Sequence, residues 1–403
     1  QSGDRVVVTF PGLMQSELTP ENGFIKNNQM MVIVHLSEQD GNKADRVKLS
    51  SNMGNGYYQN NYNYTYNYSP NYTYSYKDMS KENTGYVGLQ NQGATCYMNS
   101  MLQSLYHTPA FRKLIYEIPT VVDENESTNV ILNLQRLFGM LQFSDKSCST
   151  KALTKSFGWD SHRTYIQHDT QEFLRVLIDN IENKIKDDEK LKDGISNILR
   201  GQARKYIRCK DVNYESSHTE YFYDLSMVVK DCPTLEDSFK KYVETEELSG
   251  NDKYDTGDPT FGKQDALMGL EFLSFPPVLH LQLRRFEYDF DYDRNVKIND
   301  RFEFPKEINL EPFLAKEVDR SKSYIYDLYG VLVHSGGVSY GHYYAFLRTS
   351  TDPQWYEFND STVSKVDEKK AIEDNFGGQQ VKSFSAYFLI YVRRDDAKNI
   401  FES

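Results

Sequence analysis

Apolar side chains recur at helical spacing in two stretches of the first half of the chain. The first stretch begins at Cys96, and its apolar positions are Met98, Leu102 and Leu105. The second follows Asp169 and Glu172, which fit a helix N-cap and its capping-box partner. Its apolar stripe consists of Phe173, Leu174, Leu177, Ile178 and Ile181. Both patterns predict amphipathic helices.

From about Ala203 the apolar positions shift towards a period of two, which is typical of strands. The clearest examples are VLHLQLRRF, YGVLVHS, GHYYAFLR, QWYEFND and AYFLIYVRR. Helices in the first part and antiparallel strands in the second predict an α+β fold.

The first 83 residues have a different pattern. Residues 1–42 contain two short β-runs, VVVTF and MMVIVHL, and two strands cannot bury a core. We therefore expect this segment either to dock on another part of the protein or to be the end of a larger domain. Residues 43–83 alternate Tyr and Asn with almost no aliphatic side chains, which predicts a flexible low-complexity linker. Three glycosylation motifs within it, at Asn63, Asn67 and Asn71, carry little weight because the chain has no secretory features.

Composition narrows the class of protein. The 58 acidic and 46 basic residues among 403 give a net charge of −12, which argues against nucleic-acid binding. No apolar run reaches the roughly 18 residues of a membrane helix, so we expect a soluble protein. There is no initiator Met and no signal segment, so we expect a piece of a longer protein. Four cysteines form no disulfide framework, which favours a reducing compartment, cytoplasmic or nuclear.

Cys96 is the cysteine whose setting suits chemistry. It lies at the start of a predicted helix, where the helix dipole and free N–H groups favour a thiolate. A cysteine taken at random is more often structural, and we interpret Cys148, Cys209 and Cys232 in that way. Because the cysteines lack paired CxxC spacing, we expect no metal site and no cofactor.

A thiol nucleophile needs a base and a group that orients the base. GGVSYGHYYAF places His342 at the start of a strand, and QWYEFND places Asn359 and Asp360 at the end of the next. If these strands form a hairpin, His342 and Asn359 lie close together. The chain order Cys, His, Asn is that of papain-like peptidases. His334 and His168 are interpreted as structural or supporting residues.

These segments resemble the ubiquitin-specific protease family of cysteine peptidases. GYVGLQNQGATCYMNSMLQSLY resembles the cysteine box of the family, and YGHYYAFLR with WYEFND resembles its histidine box. IQHDTQEFLRVLIDNIE resembles the acidic helix between the two. The similarity runs from about Thr84 to Arg394 and is greatest to the herpesvirus-associated branch and its fungal counterparts. LTPENGFIKNNQMMVIVHL resembles the end of the TRAF-like (MATH) domain that precedes the catalytic domain there.

The resemblance implies a papain-like fold with thumb, palm and fingers. It implies a TRAF-like remnant in residues 1–42, a linker in 43–83 and a catalytic domain in 84–396. Within that domain it implies a thumb in about 84–200, with fingers and palm in about 201–396. Residues 397–403 would begin a downstream segment.

The resemblance also implies roles for single residues. Cys96 would attack the carbonyl carbon of ubiquitin's terminal glycine, and His342 would exchange the protons. Asn359 would orient His342, and Asn91 would donate a hydrogen bond to the oxyanion together with the Cys96 N–H. The herpesvirus-associated member of the family has Asp where this chain has Asn359, whereas other members use Asn. Asp360 could supply the missing charge, and the division of roles between the two stays open.

The implied partners are ubiquitin and ubiquitinated proteins, with no nucleic acid, no membrane and a monomeric chain. Asp169 and Glu172 match positions that bind the arginines of ubiquitin's tail, although both could simply cap their helix. Tyr343 matches a residue that lines the tail channel. The loop FGWDSHRTY, residues 157–165, departs from the family pattern. Two alternatives remain: a ubiquitin-binding pseudoenzyme, and a protease for another ubiquitin-like protein.

Overall fold

The computed structural model describes residues 25–26, 29–30, 80–121, 125–159, 169–290, 293–338, 340–350, 353–378 and 384–402. All of them belong to one unit of the chain, made of residues 19–31 and 78–403. VVVTF, most of MMVIVHL, the Tyr/Asn-rich segment up to Met79, His168 and residues 160–165 lie outside the described residues. The predictions made for them stay predictions.

Helices occupy most of the described chain up to residue 199, as their apolar spacing predicts. The predicted helix after Cys96 begins at that residue, and the stripe behind Asp169 lies on a helix that Asp169 caps by accepting a hydrogen bond from the Gln171 N–H. The helices are α1 (Ser80–Thr84), α2 (Cys96–Tyr106), α3 (Pro109–Glu117), α4 (Val130–Phe143), α5 (Lys151–Ser156), α6 (Thr170–Ile185), α7 (Gly194–Leu199), α8 (Leu235–Tyr242), α9 (Glu368–Ala371) and α10 (Ala397–Phe401).

Strands dominate from residue 201 onward, and all five segments predicted from their alternation are strands. The strands are β1 (Ile25–Lys26), β2 (Gln29–Met30), β3 (Leu89–Gln90), β4 (Cys148–Ser149), β5 (Gly201–Cys209), β6 (Glu215–Phe222), β7 (Leu225–Val228), β8 (Glu246–Leu248), β9 (Tyr254–Asp255), β10 (Lys263–Gln264), β11 (Ala266–Ser274), β12 (Val278–Arg284), β13 (Phe286–Asp289), β14 (Arg294–Lys297), β15 (Glu307–Asn309), β16 (Ile325–Gly336), β17 (Gly341–Arg348), β18 (Trp355–Asn359), β19 (Thr362–Val366) and β20 (Phe384–Arg393). The α+β prediction is confirmed.

A large sheet carries the second half of the fold. Its strand order is β19-β18-β17-β16-β20-β12-β7, and β15 pairs with β16. Within this sheet β7 and β12 run parallel and the other neighbours run antiparallel. A separate antiparallel sheet has the order β6-β5-β11-β8. Because β17 and β18 pair in register from Ala345 opposite Phe358 to Arg348 opposite Trp355, the end of β18 lies near the start of β17.

The large sheet packs against a hydrophobic core on each of its faces. Because successive side chains of a strand point to opposite sides, a single strand contributes to both cores. In β16, Tyr329 and Leu332 join a core shared with the helices, whereas Val331 and Val333 join a core on the other face. We call these the helix-side core and the far-side core. In β20, Phe388 and Leu389 divide between the two cores in the same way.

Helix α2 is held on the sheet that carries the predicted histidine. It packs against β17 and β18, and the phenol of Tyr329 in β16 donates to the carbonyl oxygen of His107 directly after the helix. All the side chains of α2 are buried. Cys96 and His342 are therefore brought together by the packing of a helix on a strand.

The segment predicted to be a flexible linker ends earlier than residue 83. Helix α1 covers Ser80–Thr84 and contacts β19. Ser80 is buried, and its Oγ accepts a hydrogen bond of 2.8 Å from the Val363 N–H. Residues 80–83 of the predicted linker are therefore folded against the sheet, and the buried Ser80 supplies an acceptor for the backbone of β19.

Candidate active site

Cys96 is the first residue of α2 and is buried. The turn before it is shaped by Asn91, whose Oδ1 accepts hydrogen bonds from the Gly93 N–H at 3.0 Å and the Thr95 N–H at 3.1 Å. The Thr95 hydroxyl in turn accepts from the Gln92 N–H at 3.0 Å. Asn91 thus fixes the loop that delivers the thiol to the helix N-terminus.

His342 and Asn359 are in direct contact, as the hairpin prediction requires. The imidazole Nε2 lies 2.7 Å from Asn359 Oδ1. Because an amide oxygen can only accept, Nε2 carries the proton of this bond. The other ring nitrogen, Nδ1, is left for the thiol.

The Cys96 side chain is hydrogen-bonded to His342, and this bond raises the pKa of the imidazole from its ordinary 6.5 to about 9. The bond with Asn359 and the charges of Cys96 and Asp360 also raise this pKa, whereas partial burial of the ring lowers it. A protonated imidazole next to a sulfur atom stabilises the thiolate, which is the nucleophilic form. The three side chains therefore form one hydrogen-bonded series.

Asp360 connects the loop before Cys96 to the end of β18. Its Oδ2 accepts from Asn91 Nδ2 at 3.0 Å, and its Oδ1 accepts from Asn99 Nδ2 at 2.8 Å. Its backbone oxygen accepts from the Leu89 N–H at 2.8 Å. Oδ2 also lies 3.9 Å from His342 Nδ1. Asn359 thus contacts the imidazole, while Asp360 holds the two asparagines that flank Cys96 in sequence.

The backbone at Asp360 is in the left-handed region, with φ of 46°. This turn lies so close to the start of β3 that a Cβ atom on Gly88 would be 2.2 Å from the Asp360 carbonyl oxygen. Only glycine fits there without moving backbone. The close approach allows the Leu89 N–H to reach Asp360.

Asp169 uses both carboxylate oxygens. Oδ1 caps α6 by accepting from the Gln171 N–H at 2.6 Å, and Oδ2 accepts from the Tyr387 hydroxyl and from Gln282 Nε2, the latter at 3.2 Å. A cavity of about 410 Å³ opens here; its lining includes Asp169, Ser226, Gln282, Arg284, Phe286 and Tyr387. Burial and the Asp169 charge raise the pKa of Tyr387 well above its usual value. Glu172, one turn into the helix, is exposed.

Tyr343 lies behind this cavity. It is buried, and its ring packs against Tyr387 at 5.5 Å and His334 at 4.7 Å between centroids. His334 is itself buried, and burial lowers the pKa of its imidazole to about 3. A neutral, buried His334 agrees with the structural interpretation given to it above.

Residues 87–391 match the family described as ubiquitin carboxyl-terminal hydrolase. The chain belongs to this family. The matched segment contains every residue of the predicted site, from Asn91 to Asp360. The family predicted from the cysteine and histidine boxes is therefore confirmed.

Similar ubiquitin carboxyl-terminal hydrolases come from plants, fungi and animals. Ubiquitin C-terminal hydrolase 12 of Arabidopsis thaliana is 46% identical over 342 residues, which cover 80% of this chain and 30% of that protein. Ubiquitin carboxyl-terminal hydrolase 5 of Schizosaccharomyces pombe is 47% identical over 328 residues, 78% of this chain and 29% of that protein. Ubiquitin carboxyl-terminal hydrolase 7 of Drosophila melanogaster is 46% identical over 327 residues, which cover 80% of this chain and 28% of that protein. The chain thus matches less than a third of the length of each relative.

Sequence patterns do not single out three residues that the fold places in the site: Asn99, Gln282 and Tyr387. Asn99 lies one helical turn after Cys96, so helix periodicity alone puts it on the same face. Gln282 is a polar residue inside the apolar run VLHLQLR, which signals a hydrogen bond within a sheet. Tyr387 carries no such signal, since AYFLIYV is apolar and aromatic throughout.

The remaining cysteines of the chain lie apart from the candidate active site. Cys148, Cys209 and Cys232 are buried free thiols, and burial raises the pKa of each. In the part of the chain that the structure describes, no cluster of three or more His, Cys, Asp or Glu side chains is arranged to hold a metal ion. Within the same residues, no helix has both the length and the apolar character needed to span a membrane.

Proposed function

We propose that this chain is a thiol-dependent deubiquitinase, which hydrolyses the isopeptide or peptide bond after the C-terminal glycine of ubiquitin. The observation that carries the proposal is the hydrogen-bonded series of Cys96, His342 and Asn359. It lies within the segment that matches the ubiquitin carboxyl-terminal hydrolase family. A thiol, a raised imidazole pKa and an orienting amide are the parts that nucleophilic acyl transfer requires.

The reaction begins with attack of the Cys96 thiolate on the carbonyl carbon of the terminal glycine. The Cys96 backbone N–H and the Asn91 side-chain amide are the donors for the oxyanion. Asn91 Nδ2 carries two hydrogens, and since one is directed to Asp360, the other is available for the substrate. Removing one donor of this kind typically slows acyl transfer by about 10²–10³-fold.

His342 handles the protons in both halves of the reaction. The imidazolium gives its proton to the leaving amine as the C–N bond breaks, which leaves a thioester between Cys96 and ubiquitin. Neutral His342 then takes a proton from water as the water oxygen attacks the thioester. Collapse of this second intermediate releases ubiquitin with a free carboxylate, and the sulfur and the imidazolium return to the starting ion pair.

In this proposal Asn359 and Asp360 have different tasks. Asn359 contacts Nε2 and keeps the proton on that nitrogen, which orients the ring. Asp360 holds the amide of Asn91, the oxyanion donor, and adds negative charge 3.9 Å from Nδ1. The distances support assigning orientation of the base to Asn359 and the oxyanion turn to Asp360.

Ubiquitin's C-terminal tail is proposed to occupy the cavity beside Asp169 and Glu172. The tail arginines would pair with these carboxylates, one of which is exposed and the other only partly buried. Asp169 Oδ2 already accepts from Tyr387 and Gln282, so a bound guanidinium adds to an oriented carboxylate. Tyr343, close to His342 in sequence and buried beside Tyr387, would border the Gly-Gly end of the tail.

The test is hydrolysis of a fluorogenic amide of the ubiquitin C-terminus. We expect release by the wild-type chain, none by Cys96→Ala, and near-normal release by the matched control Cys232→Ala, whose thiol lies in the far-side core. Ubiquitin binding should survive in Cys96→Ala. Binding without release by the wild-type chain would favour the pseudoenzyme. If a probe made from another ubiquitin-like protein labels the chain in preference to a ubiquitin probe, the result would favour a protease for that ubiquitin-like protein.

The proposal also includes a monomeric chain and a cytoplasmic or nuclear location. No disulfide joins any of the four cysteines in the part of the chain that the structure describes, and reduced cysteines persist in reducing compartments. Sedimentation of the purified chain would test the monomer, and imaging of the full-length protein would test the location.

A further inference from the structure

We propose that Glu357 is a positioning residue for the catalytic series, which together with Lys370 fixes the amide of Asn359 so that its oxygen faces His342. This inference rests on the proposed function, because it concerns the same base. It assigns a role to a side chain that touches neither the thiol nor the imidazole.

The contacts form a chain along one face of β18. Glu357 and Asn359 are two residues apart in the strand, so their side chains point the same way. Asn359 Nδ2 donates to Glu357 Oε1 at 3.3 Å, and Glu357 Oε2 lies 2.5 Å from Lys370 Nζ. The Glu357 side chain is only 14% exposed, whereas that of Lys370 is half exposed. The hydrogen bonds therefore continue from His342 through Asn359 and Glu357 to an ammonium group in α9.

An asparagine needs such a partner more than an aspartate would. The two ends of an amide have nearly the same shape, but one end accepts and the other donates. His342 Nε2 carries a proton and needs the accepting end, Oδ1. An amide turned by 180° would direct N–H groups at an imidazolium and would cost the orienting bond.

Glu357 selects the correct orientation because an ionised carboxylate can only accept. Glu357 accepts a hydrogen bond from Asn359 Nδ2, so that Asn359 Oδ1 remains to accept from the imidazole. Lys370 keeps this carboxylate in place through the ion pair. The backbone N–H of Lys370 is itself bonded to Asp367 Oδ1 at 2.8 Å, so the ammonium extends from a capped helix start.

The arrangement also explains where the negative charge of the series resides. Asn359 contributes none, Asp360 supplies one negative charge 3.9 Å from Nδ1, and Glu357 supplies a second on the other side of Asn359. An Asn359→Asp substitution would place two carboxylates at the present 3.3 Å contact. Like charges at this separation do not both ionise readily. Asparagine at 359 and glutamate at 357 thus form a matched pair, and changing either one alone breaks the match.

A double-mutant cycle tests the match through kcat and KM for the fluorogenic ubiquitin amide. Glu357→Gln should lower kcat by about 10-fold or more, because even a small misplacement of a catalytic group is costly, with KM changed less than about 2-fold. Asn359→Asp should also lower kcat. The double variant Glu357→Gln/Asn359→Asp should exceed both single variants, because the glutamine amide can donate to the new carboxylate, which then accepts from Nε2.

Glu368→Gln is the matched control, because Glu368 makes a surface ion pair of 2.9 Å with Lys306; it should keep kcat within about 2-fold. A Glu357→Gln variant with wild-type kcat overturns the inference and leaves the deubiquitinase proposal intact. A double variant no faster than the faster single variant also overturns it, since damage to the fold would add where matched charges compensate. A wild-type chain that releases nothing overturns both proposals.

Discussion

His342 is the residue whose surroundings decide how activity depends on pH. The Cys96 hydrogen bond, followed by that of Asn359, raises the pKa of its imidazole to about 9. The folded protein therefore binds this proton more tightly than the unfolded chain does. The stability that this group contributes is fully present below the unfolded value near 6.5 and is lost as the pH rises through about 9.

The rate of hydrolysis should depend on the protonation of the same imidazole. We expect kcat/KM to fall as pH rises through about 9, because neutral His342 cannot protonate the leaving amine. Removing the Asn359 bond should move this limb to lower pH, since that bond helps to raise the pKa. A pH–rate profile of the wild-type chain and of Asn359→Ala checks this. A limb at the same pH in both proteins would show that Asn359 does not act on the imidazole.

The residues that sequence patterns predict and those they miss differ in one physical respect. Cys96, His342 and Asn359 carry a local signal: a helix start, a glycine-rich approach to a strand, and a strand end. Glu357 and Tyr387 carry none, because their roles depend on contacts with side chains from other elements. Glu357 meets Lys370 of α9, and Tyr387 meets Asp169 from far earlier in the chain. Such pairings exist only once the sheet has formed.

At the scale of elements, a buried carboxylate joins α6 to β7. Asp224, at the start of β7, accepts from Gln171 Nε2 at 2.5 Å and from Arg175 Nη2 at 3.0 Å. The Asp224 side chain is 1% exposed and that of Arg175 is 60% exposed. Helix α6, which Asp169 caps, is thus fastened to the sheet by an ion pair with one buried end.

Because Asp224 is buried and Arg175 is exposed, removing either partner of the ion pair should change the free energy of unfolding by a different amount. Arg175→Met leaves a buried carboxylate without its cation and should destabilise the fold by about 3 kcal/mol. Asp224→Asn leaves an arginine that is already solvated and keeps an acceptor for Gln171, so it should cost about 1 kcal/mol. Urea unfolding of the two variants measures the difference. Equal losses, or a larger loss for Asp224→Asn, would contradict the picture of an ion pair buried at one end.

Element types were more predictable than element positions. The alternating runs predict β12, β16, β17, β18 and β20 of the large sheet, but not β7, β15 or β19. They also do not predict α8, which interrupts the strand-rich region. Its signals are present: Thr234 accepts from the Asp237 N–H at 3.1 Å, and Leu235 and Phe239 lie on one buried face. A helix of eight residues offers only two turns of periodicity, which is too few to stand out beside long strands.

At the scale of the whole molecule, one sheet separates two cores that share its strands. The two tryptophans of the chain fall on opposite sides: Trp159 packs against the helix-side core, and Trp355 lies in the far-side core. Since β16 and β20 contribute to both cores, loss of either core should expose the other. We therefore expect the two sides to unfold together.

The tryptophans allow a direct measurement. Fluorescence of Trp159→Phe reports the far side alone, and that of Trp355→Phe reports the helix side. For each variant, the urea midpoint seen by tryptophan fluorescence should coincide with the midpoint seen by circular dichroism. Comparing the two probes within one variant removes any difference in stability between variants. Leu332→Ala, which removes a side chain of the helix-side core, should lower the free energy of unfolding by about 2–5 kcal/mol. Both tryptophans should report the same loss. A far-side probe that did not respond to Leu332→Ala would mean that the two cores unfold separately.

The order of strands in the large sheet could not be predicted from local patterns. The last strand, β20, lies between β16 and β12 rather than at an edge. Apolar alternation shows that β20 is buried, but it does not show which neighbours it has. That choice depends on which sequence-distant faces fit together.

The central place of β20 has a consequence for synthesis of the protein. The thiol of Cys96 is synthesised before the strand that carries its base, and the strand that completes the sheet under that base ends only at Arg393. Domains are made from the N-terminus onward, and long-range pairing waits for its last partner. During translation the chain therefore carries Cys96 without an aligned His342 until β20 has been made. Premature termination before β20 should yield a chain in which the proposed active site is not assembled.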